Sequence, residues 1–349
     1  MSAQSQSGSG TVTAARQPAG RSTRFIAVLG TGSIGMRHLE ILRQLQGVQP
    51  VAVPIRPERC SELANAGYTT ASSVEAAIHQ GATLCIVSTE TGRHVQDSLD
   101  ALQAGIDVLV EKPMAVDARD AAHLHRRARE MNRLVVVGCV LRFSQSLNTF
   151  RELLPTIGQL HDVRIECQSS VLDWRPDQRF RQSYAADARQ GGVLRDLIHE
   201  IDYAGWLLGW PDTLQAQVSN LGRLGIEADE SADLLWRTRD GATVSIHLDY
   251  LTRPARRGMR AAGEHGTVAW DGITGVVTRS LHGKSTEMIE STQTRDQMFT
   301  AQASAFISAS QDRSPHTLAT SEDGVKALAV CDAARLASER RGEVEVQYG

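Results

Sequence analysis

Two short stretches carry the residue types that move protons. The stretch "DVLVEKPMA" places Glu111, Lys112 and Pro113 at the end of an apolar run. A charge there is costly unless it has a partner or a task. An ion pair with Glu111 or a nearby Asp is the plain alternative. The Lys112–Pro113 bond is also a candidate cis peptide, as only X–Pro bonds commonly are. The stretch "GGVLRDLIHEIDYAGWLLG" reads as one long helix in which Asp196, His199 and Asp202 recur every third residue. That spacing makes the imidazole a neighbour of both carboxylates. Such a histidine suits general acid–base work near neutral pH; a solvated helix face is the alternative. Lys112, His199 and Asp196 are the candidate catalytic residues.

A third stretch, "GTGSIG" at residues 30–35, follows the strand-like "RFIAVL" and opens a segment with Met36, Leu39, Leu42 and Leu45 at helical spacing. A G-x-G-x-x-G run needs that strand-to-helix context to hold a dinucleotide. Gly30 makes the tight turn, Gly32 lets a pyrophosphate approach, and Gly35 lets helix pack on strand. The free N–H groups of the helix start then face the phosphates. Gly30, Thr31, Gly32, Ser33, Ile34 and Gly35 form the candidate cradle, a purely structural turn being the alternative. The second strand ends at Ile55 with Arg56 after it, where an NAD site has Asp or Glu. An arginine there suits a 2′-phosphate, so NADP is slightly favoured over NAD. Arg56 and Arg59 as solvated loop residues is the other reading.

The elements that must position these groups change character along the chain. From residue 24 to about 145, apolar strands alternate with helices, the pattern of a parallel sheet covered on both faces. "LVVVGCVLRF" reads as the last strand of this series. Beyond it come strand-like segments with short turns, including a hairpin signal at Asp240-Gly241. The expected fold is α/β. Residues 1–22 form a disordered tail. Residues 23–145 form a dinucleotide-binding Rossmann domain. Residues 146–349 form an α+β domain with a large, mostly antiparallel open sheet for substrate binding and oligomerisation.

Totals exclude several classes. A length of 349 residues with 41% apolar and 22% charged residues suits two globular domains. A net charge of −3 gives no global attraction to nucleic acid or an anionic membrane. No apolar run approaches the roughly 18 residues of a membrane span. Cys60, Cys85, Cys139, Cys167 and Cys331 are dispersed without CxxC spacing. That argues for reduced thiols in a cytoplasm and against a metal site. The first residues carry no apolar leader.

Taken in order, "GTGSIGMRH", "EKPMA", "GGVLRDLIHEIDYAGWLLG" and "GEHGTVAWD" resemble the Gfo/Idh/MocA oxidoreductases, from about residue 24 to the C-terminus. The resemblance implies NAD(P)-dependent hydride transfer at a secondary alcohol or ketone carbon of a sugar, sugar derivative or cyclitol. It also implies a homodimer or homotetramer joined through the second sheet. It puts the active-site lysine on Lys112 and the helix acid and histidine on Asp196 and His199. Two residues separate that pair where the family has three, so Asp196 and Asp202 both stay open as partners of His199. Glu111, Thr89 and His94 fall near the nicotinamide end, with Thr89-Glu90 in place of the family's Thr-Pro. Arg142 is a substrate contact by the same resemblance, and Trp174 and Tyr184 are candidates to stack on a sugar face. Arg175, Arg179, Arg181, Arg253, Arg256 and Arg257 raise the prospect of an anionic substrate, a solvated or intersubunit face being the alternative. Relatives of the fold that act as glycosidases by transient oxidation, or as non-catalytic dinucleotide sensors, are the alternatives; a sensor has no need of Lys112 and His199 together.

Overall fold

The computed structural model describes residues 23–174, 180–181, 184–315 and 317–348, without the side chains of Trp174 and Tyr184. The expected tail at 1–22 lies outside the described residues. The first part of the chain runs β1 (Arg24–Leu29), α1 (Ser33–Gln44), β2 (Val48–Val53), α2 (Glu58–Asn65), β3 (Thr69–Thr70), α3 (Val74–His79), β4 (Ala82–Val87), α4 (His94–Gln103), β5 (Asp107–Val110), α5 (Ala118–Glu130), β6 (Val135–Val137) and α6 (Gln145–Leu153). Then follow β7 (Leu160–Gln168), α7 (Val171–Trp174), α8 (Val193–Asp196), α9 (His199–Leu208), β8 (Thr213–Ser219), β9 (Ser231–Arg237), β10 (Thr243–Asp249), β11 (Arg256–Gly263), β12 (Gly266–Asp271), β13 (Val276–Leu281) and β14 (Glu287–Glu290). The chain closes with α10 (Arg295–Asp312), β15 (Ala319–Thr320), α11 (Ser321–Arg340) and β16 (Val344–Glu345).

Among the described residues the strands form two sheets. The first has the order β15-β6-β5-β4-β1-β2-β3, parallel except for β15. Its strands are apolar throughout because alternate residues enter different cores. Ala27 and Leu29 pack with Ala101 and Leu124, whereas Ile26 and Val28 pack with Leu39 and Leu42 of α1. Phe299, Ala303 and Phe306 of α10 join the second of these cores. A helix from late in the chain therefore covers the dinucleotide-type sheet, each buried aromatic contributing about 1.5–3 kcal/mol.

The second sheet has the order β14-β13-β12-β11-β7-β10-β9-β8-β16 and is antiparallel except for the β7–β10 pair. Its inner face buries Val163, Ile165, Leu234, Trp236, Val244, Ile246 and Met259. The alternating residues, among them Arg164, Asp233, Leu235 and Arg260, point outward and stay exposed.

Two elements differ from expectation. The last strand of the parallel series stops at Val137, and Val140–Phe143 is a 3₁₀ turn. Gly138 ends it where a Cβ would stand 2.9 Å from the Glu111 carboxylate. The long helix over "GGVLRDLIHEIDYAGWLLG" is broken at Leu197 and Ile198, giving α8 and α9.

Candidate active site

A cleft of about 1750 Å³ lies between the glycine loop, the end of β5 and the α8–α9 break. Of the residues expected at a site, Gly30, Thr31, Gly32, Ser33, Ile34, Arg56, Thr89, His94, Glu111, Lys112, Asp196 and His199 line it. Gly35 does not, because its place is beneath the loop.

The three loop glycines answer to different constraints. Gly30 has φ +89°, and a Cβ there would sit 2.7 Å from Ser88 O. A Cβ on Gly35 would overlap the carbonyl oxygen of Gly30. Both are required by the protein's own packing. Gly32 has φ −73°, which any residue adopts, and its Cβ would meet nothing within 4 Å. It faces the cleft, so the space beside it is kept for something outside the chain. A pyrophosphate at the start of α1 fits that cradle.

At the strand end, the Lys112–Pro113 bond is cis. Lys112 Nζ donates to the main-chain oxygen of Asp196 at 2.5 Å and lies 4.0 Å from its carboxylate. The helix break makes that oxygen available. In a continuous helix the Glu200 N–H would take it; here Glu200 N–H bonds Leu197 O at 3.3 Å. The Asp196 carboxylate, buried, accepts from Tyr250 Oη at 3.0 Å.

His199 begins α9 with Nδ1 buried and, among the described residues, unpartnered. Nε2 is therefore the nitrogen that can meet a ligand. Burial holds the ring well below its ordinary pKa, and Lys112, Arg257 and Arg295 push in the same direction. Neither acid of the expected trio is hydrogen-bonded to it. Asp202 is bound to Arg142 through two bonds of 3.0 and 2.7 Å. Arg142, expected at the substrate, is 3% exposed and also reaches Asp323 at 3.2 Å. It does not line the cleft. Burial of a paired guanidinium between two carboxylates makes this a structural ion pair, not a ligand contact.

His94 is buried and spans two carbonyls, Pro113 O at 2.8 Å from Nδ1 and Thr89 O at 3.1 Å from Nε2. Burial lowers its pKa, so the neutral ring donates to one of them, and Nδ1 has the shorter contact. It thereby ties the loop after β4 to the loop after β5. Thr89 Oγ1 donates to Asp97 at 2.7 Å.

Sequence reasoning missed His38, although "GMRH" places it one turn into α1. Its Nε2 donates to Glu111 Oε1 at 2.7 Å in a buried pair. It also missed Arg37 and Arg295, which line the cleft, and Trp270, whose Nε1 donates to Ser146 Oγ at 2.8 Å. The side chains of Trp174 and Tyr184, and all of Arg175 and Arg179, lie outside the described residues. Arg181 donates to Leu224 O at 2.9 Å, and Arg253 is held bidentate by Asp173.

Residues 25–139 match the model of an oxidoreductase family with an NAD-binding Rossmann fold, and residues 152–269 match the GFO/IDH/MocA C-terminal domain. The inositol 2-dehydrogenase of Acidiphilium cryptum is 27% identical over 238 residues, 65% of this chain and 67% of that protein. Against other curated relatives the matched part spans little more than half of their length, 57%, 56% and 54%. A levoglucosan dehydrogenase in complex with NADH and levoglucosan has the same fold, with a TM-score of 0.82 at 15% identity, covering 93% of this chain and 100% of that one. The WlbA dehydrogenase of Bordetella pertussis, in complex with NADH and UDP-GlcNAcA, gives 0.79 at 20% identity, covering 95% and 99%. With both halves matched in order, the chain belongs to the GFO/IDH/MocA family of oxidoreductases.

Proposed function

We propose that the chain is an NAD(P)-dependent oxidoreductase that acts on a secondary alcohol or ketone carbon of a sugar, sugar derivative or cyclitol. One observation carries this reading: the open side of Gly32, the Lys112 ammonium and the neutral His199 share a single cleft. The named substrates of relatives, an inositol and levoglucosan, support the substrate class. When bound, the nicotinamide supplies the hydride acceptor or donor; the chain's own residues handle proton and charge. His199 takes the hydroxyl proton through Nε2, since a ring held neutral at pH 7 is ready to accept it. Lys112 donates to the same oxygen and stabilises its developing charge, a contribution of about 3–4 kcal/mol by comparison with other oxyanion donors. Asp196 orients the lysine, not the imidazole, through its main-chain oxygen. Glu111, fixed by His38, holds the start of the Lys112 loop, accepting from Lys112 N–H at 3.3 Å.

Support for NADP over NAD comes from the rim. Ile55 is 44% exposed where an acid would grip a ribose. Arg56 and Arg59 line the cleft, and Arg59 Nε donates to Thr31 Oγ1 at 3.2 Å. Two arginines at this rim support a 2′-phosphate there. The outward face of the second sheet, where Leu235 is 43% exposed, supports a dimer or tetramer packed through it. A monomer mass by light scattering would reject that assembly.

The cradle is tested by replacing Gly32 with Val. Thermal stability is expected to hold, since a Cβ at this position meets no protein within 4 Å, while NAD(P)H affinity by calorimetry drops at least tenfold, about 1.4 kcal/mol. Unchanged affinity would remove the dinucleotide from this cleft.

A further inference from the structure

We propose that the catalytic end of the cleft is built for an oxyanion on the substrate, a carboxylate or phosphate, held by Arg295 beside Arg257. This deepens the dehydrogenase reading and rests on it.

Positive charge is concentrated there, and part of it has no acid partner among the described residues. Arg37, Arg256, Arg257 and Arg295 line the cleft together with Lys112 and His199. The carboxylates that line it are Glu90, Glu111 and Asp196. Glu111 is taken by His38, and Asp196 faces Lys112 and Tyr250. Arg37 is paired with Asp296. Arg257 is fixed from behind: Nε and Nη2 bind the fully buried Glu200 at 2.7 and 3.2 Å, which leaves Nη1 outside that fork. Among the described residues, neither Arg256 nor Arg295 has an ion-pair partner.

Arg295 is the least comfortable of these cations. It is the first residue of α10, an 18-residue helix whose positive dipole end disfavours a cation. Burial lowers its pKa, and the neighbouring Arg37 and Arg257 lower it further. Arg257 is bound to Glu200 of α9, the helix that His199 begins, which sets it beside the reacting position, and Arg295 lines the same cleft. A substrate anion relieves this repulsion and meets donors already held in place. A neutral polyol does neither. Arg253, one of the six arginines that raised an anionic substrate in the sequence, is already committed to Asp173.

The experiment uses the dinucleotide-loaded protein. Glucuronate and inositol monophosphate, with their neutral parents glucose and inositol, are titrated calorimetrically at low and moderate salt. At least one anion is expected to bind about 10–100-fold tighter than its parent, the range of one charge-assisted hydrogen bond. Added salt should reduce that margin, and the two anions distinguish a carboxylate site from a phosphate site. Arg295→Gln should shrink the margin to a few-fold and leave NAD(P)H affinity unaltered. Anions no tighter than their parents, including no binding by any of the four, would overturn the proposal. So would a loss of dinucleotide affinity in Arg295→Gln with the margin intact. Dinucleotide reduction is followed in the same samples. Anion binding without turnover of any polyol counts against the dehydrogenase reading alone, and turnover of neutral sugars without an anion margin counts against the oxyanion site alone.

Discussion

Lys112 Nζ donates to the main-chain oxygen of Asp196 across 84 residues of sequence. The bond exists because the helix after Gly192 is interrupted, so that Asp196 O is released from the ladder. The interruption therefore positions the lysine and, three residues on, starts a new helix at His199. The two halves of the proposed catalytic pair are set by one irregularity.

That arrangement fixes a pH dependence. His199 lies well below its ordinary value near 6.5, first through burial and then through Lys112, Arg257 and Arg295. For alcohol oxidation, kcat/KM should stay level down through pH 6.5 and fall only at lower pH, where the ring protonates. Lys112→Met should move this limb to higher pH, because a lost neighbouring cation favours the imidazolium. Asp202→Asn should leave it in place. A limb that moves in Asp202→Asn but not in Lys112→Met would return Asp202 to the role of partner. The depressed value also means that the unfolded chain binds this proton first. The stability due to His199 is thus complete above about pH 6.5 and declines as the pH falls.

The buried Arg142–Asp202 pair should behave as structure. Asp202→Ala leaves a cation in the core without its main partner and is expected to cost about 3–5 kcal/mol in urea unfolding. A joint replacement by Met and Leu should cost much less, since both charges then leave together. Near-native stability in Asp202→Ala, with a raised KM, would instead put Arg142 at the substrate.

Cofactor choice is read by calorimetry at fixed salt. NADPH is expected to bind more tightly than NADH, and Arg56→Ala to weaken NADPH selectively by about 1.5–3 kcal/mol. NADH binding at least as tightly as NADPH would show that the exposed arginines at the rim do not read a phosphate.

The parts legible from residues alone were those governed by local rules. Alternating apolar strands announced the parallel sheet, and the spacing of Gly30, Gly32 and Gly35 announced the loop. What stayed hidden was tertiary. Periodicity runs unbroken through Leu197 and Ile198, and the use of the division appears only when Lys112, arriving from β5, bonds the oxygen it releases. Arg142 reads the same whether it meets a ligand or a buried Asp202. Arg295 belongs to a helix that reaches the cleft by packing on the first sheet, long after the parallel strands of that sheet are complete in sequence. His38 and Glu111 are 73 residues apart, and no spacing rule joins them.

In the proposed reaction Lys112 and His199 carry proton and charge for oxidation of a polyhydroxy compound in this cleft. Its most direct test is single-turnover growth of reduced nicotinamide absorbance. Protein saturated with oxidised dinucleotide is mixed with inositol, levoglucosan, glucose and glucuronate. At least one should give a signal in the wild type. Lys112→Met should lower its rate about 10²–10³-fold with dinucleotide affinity nearly unchanged, and His199→Asn should lower it and abolish the acid limb. Reduction at wild-type rate in the Lys112→Met, His199→Asn double variant, or no reduction with any of the four, would contradict the account.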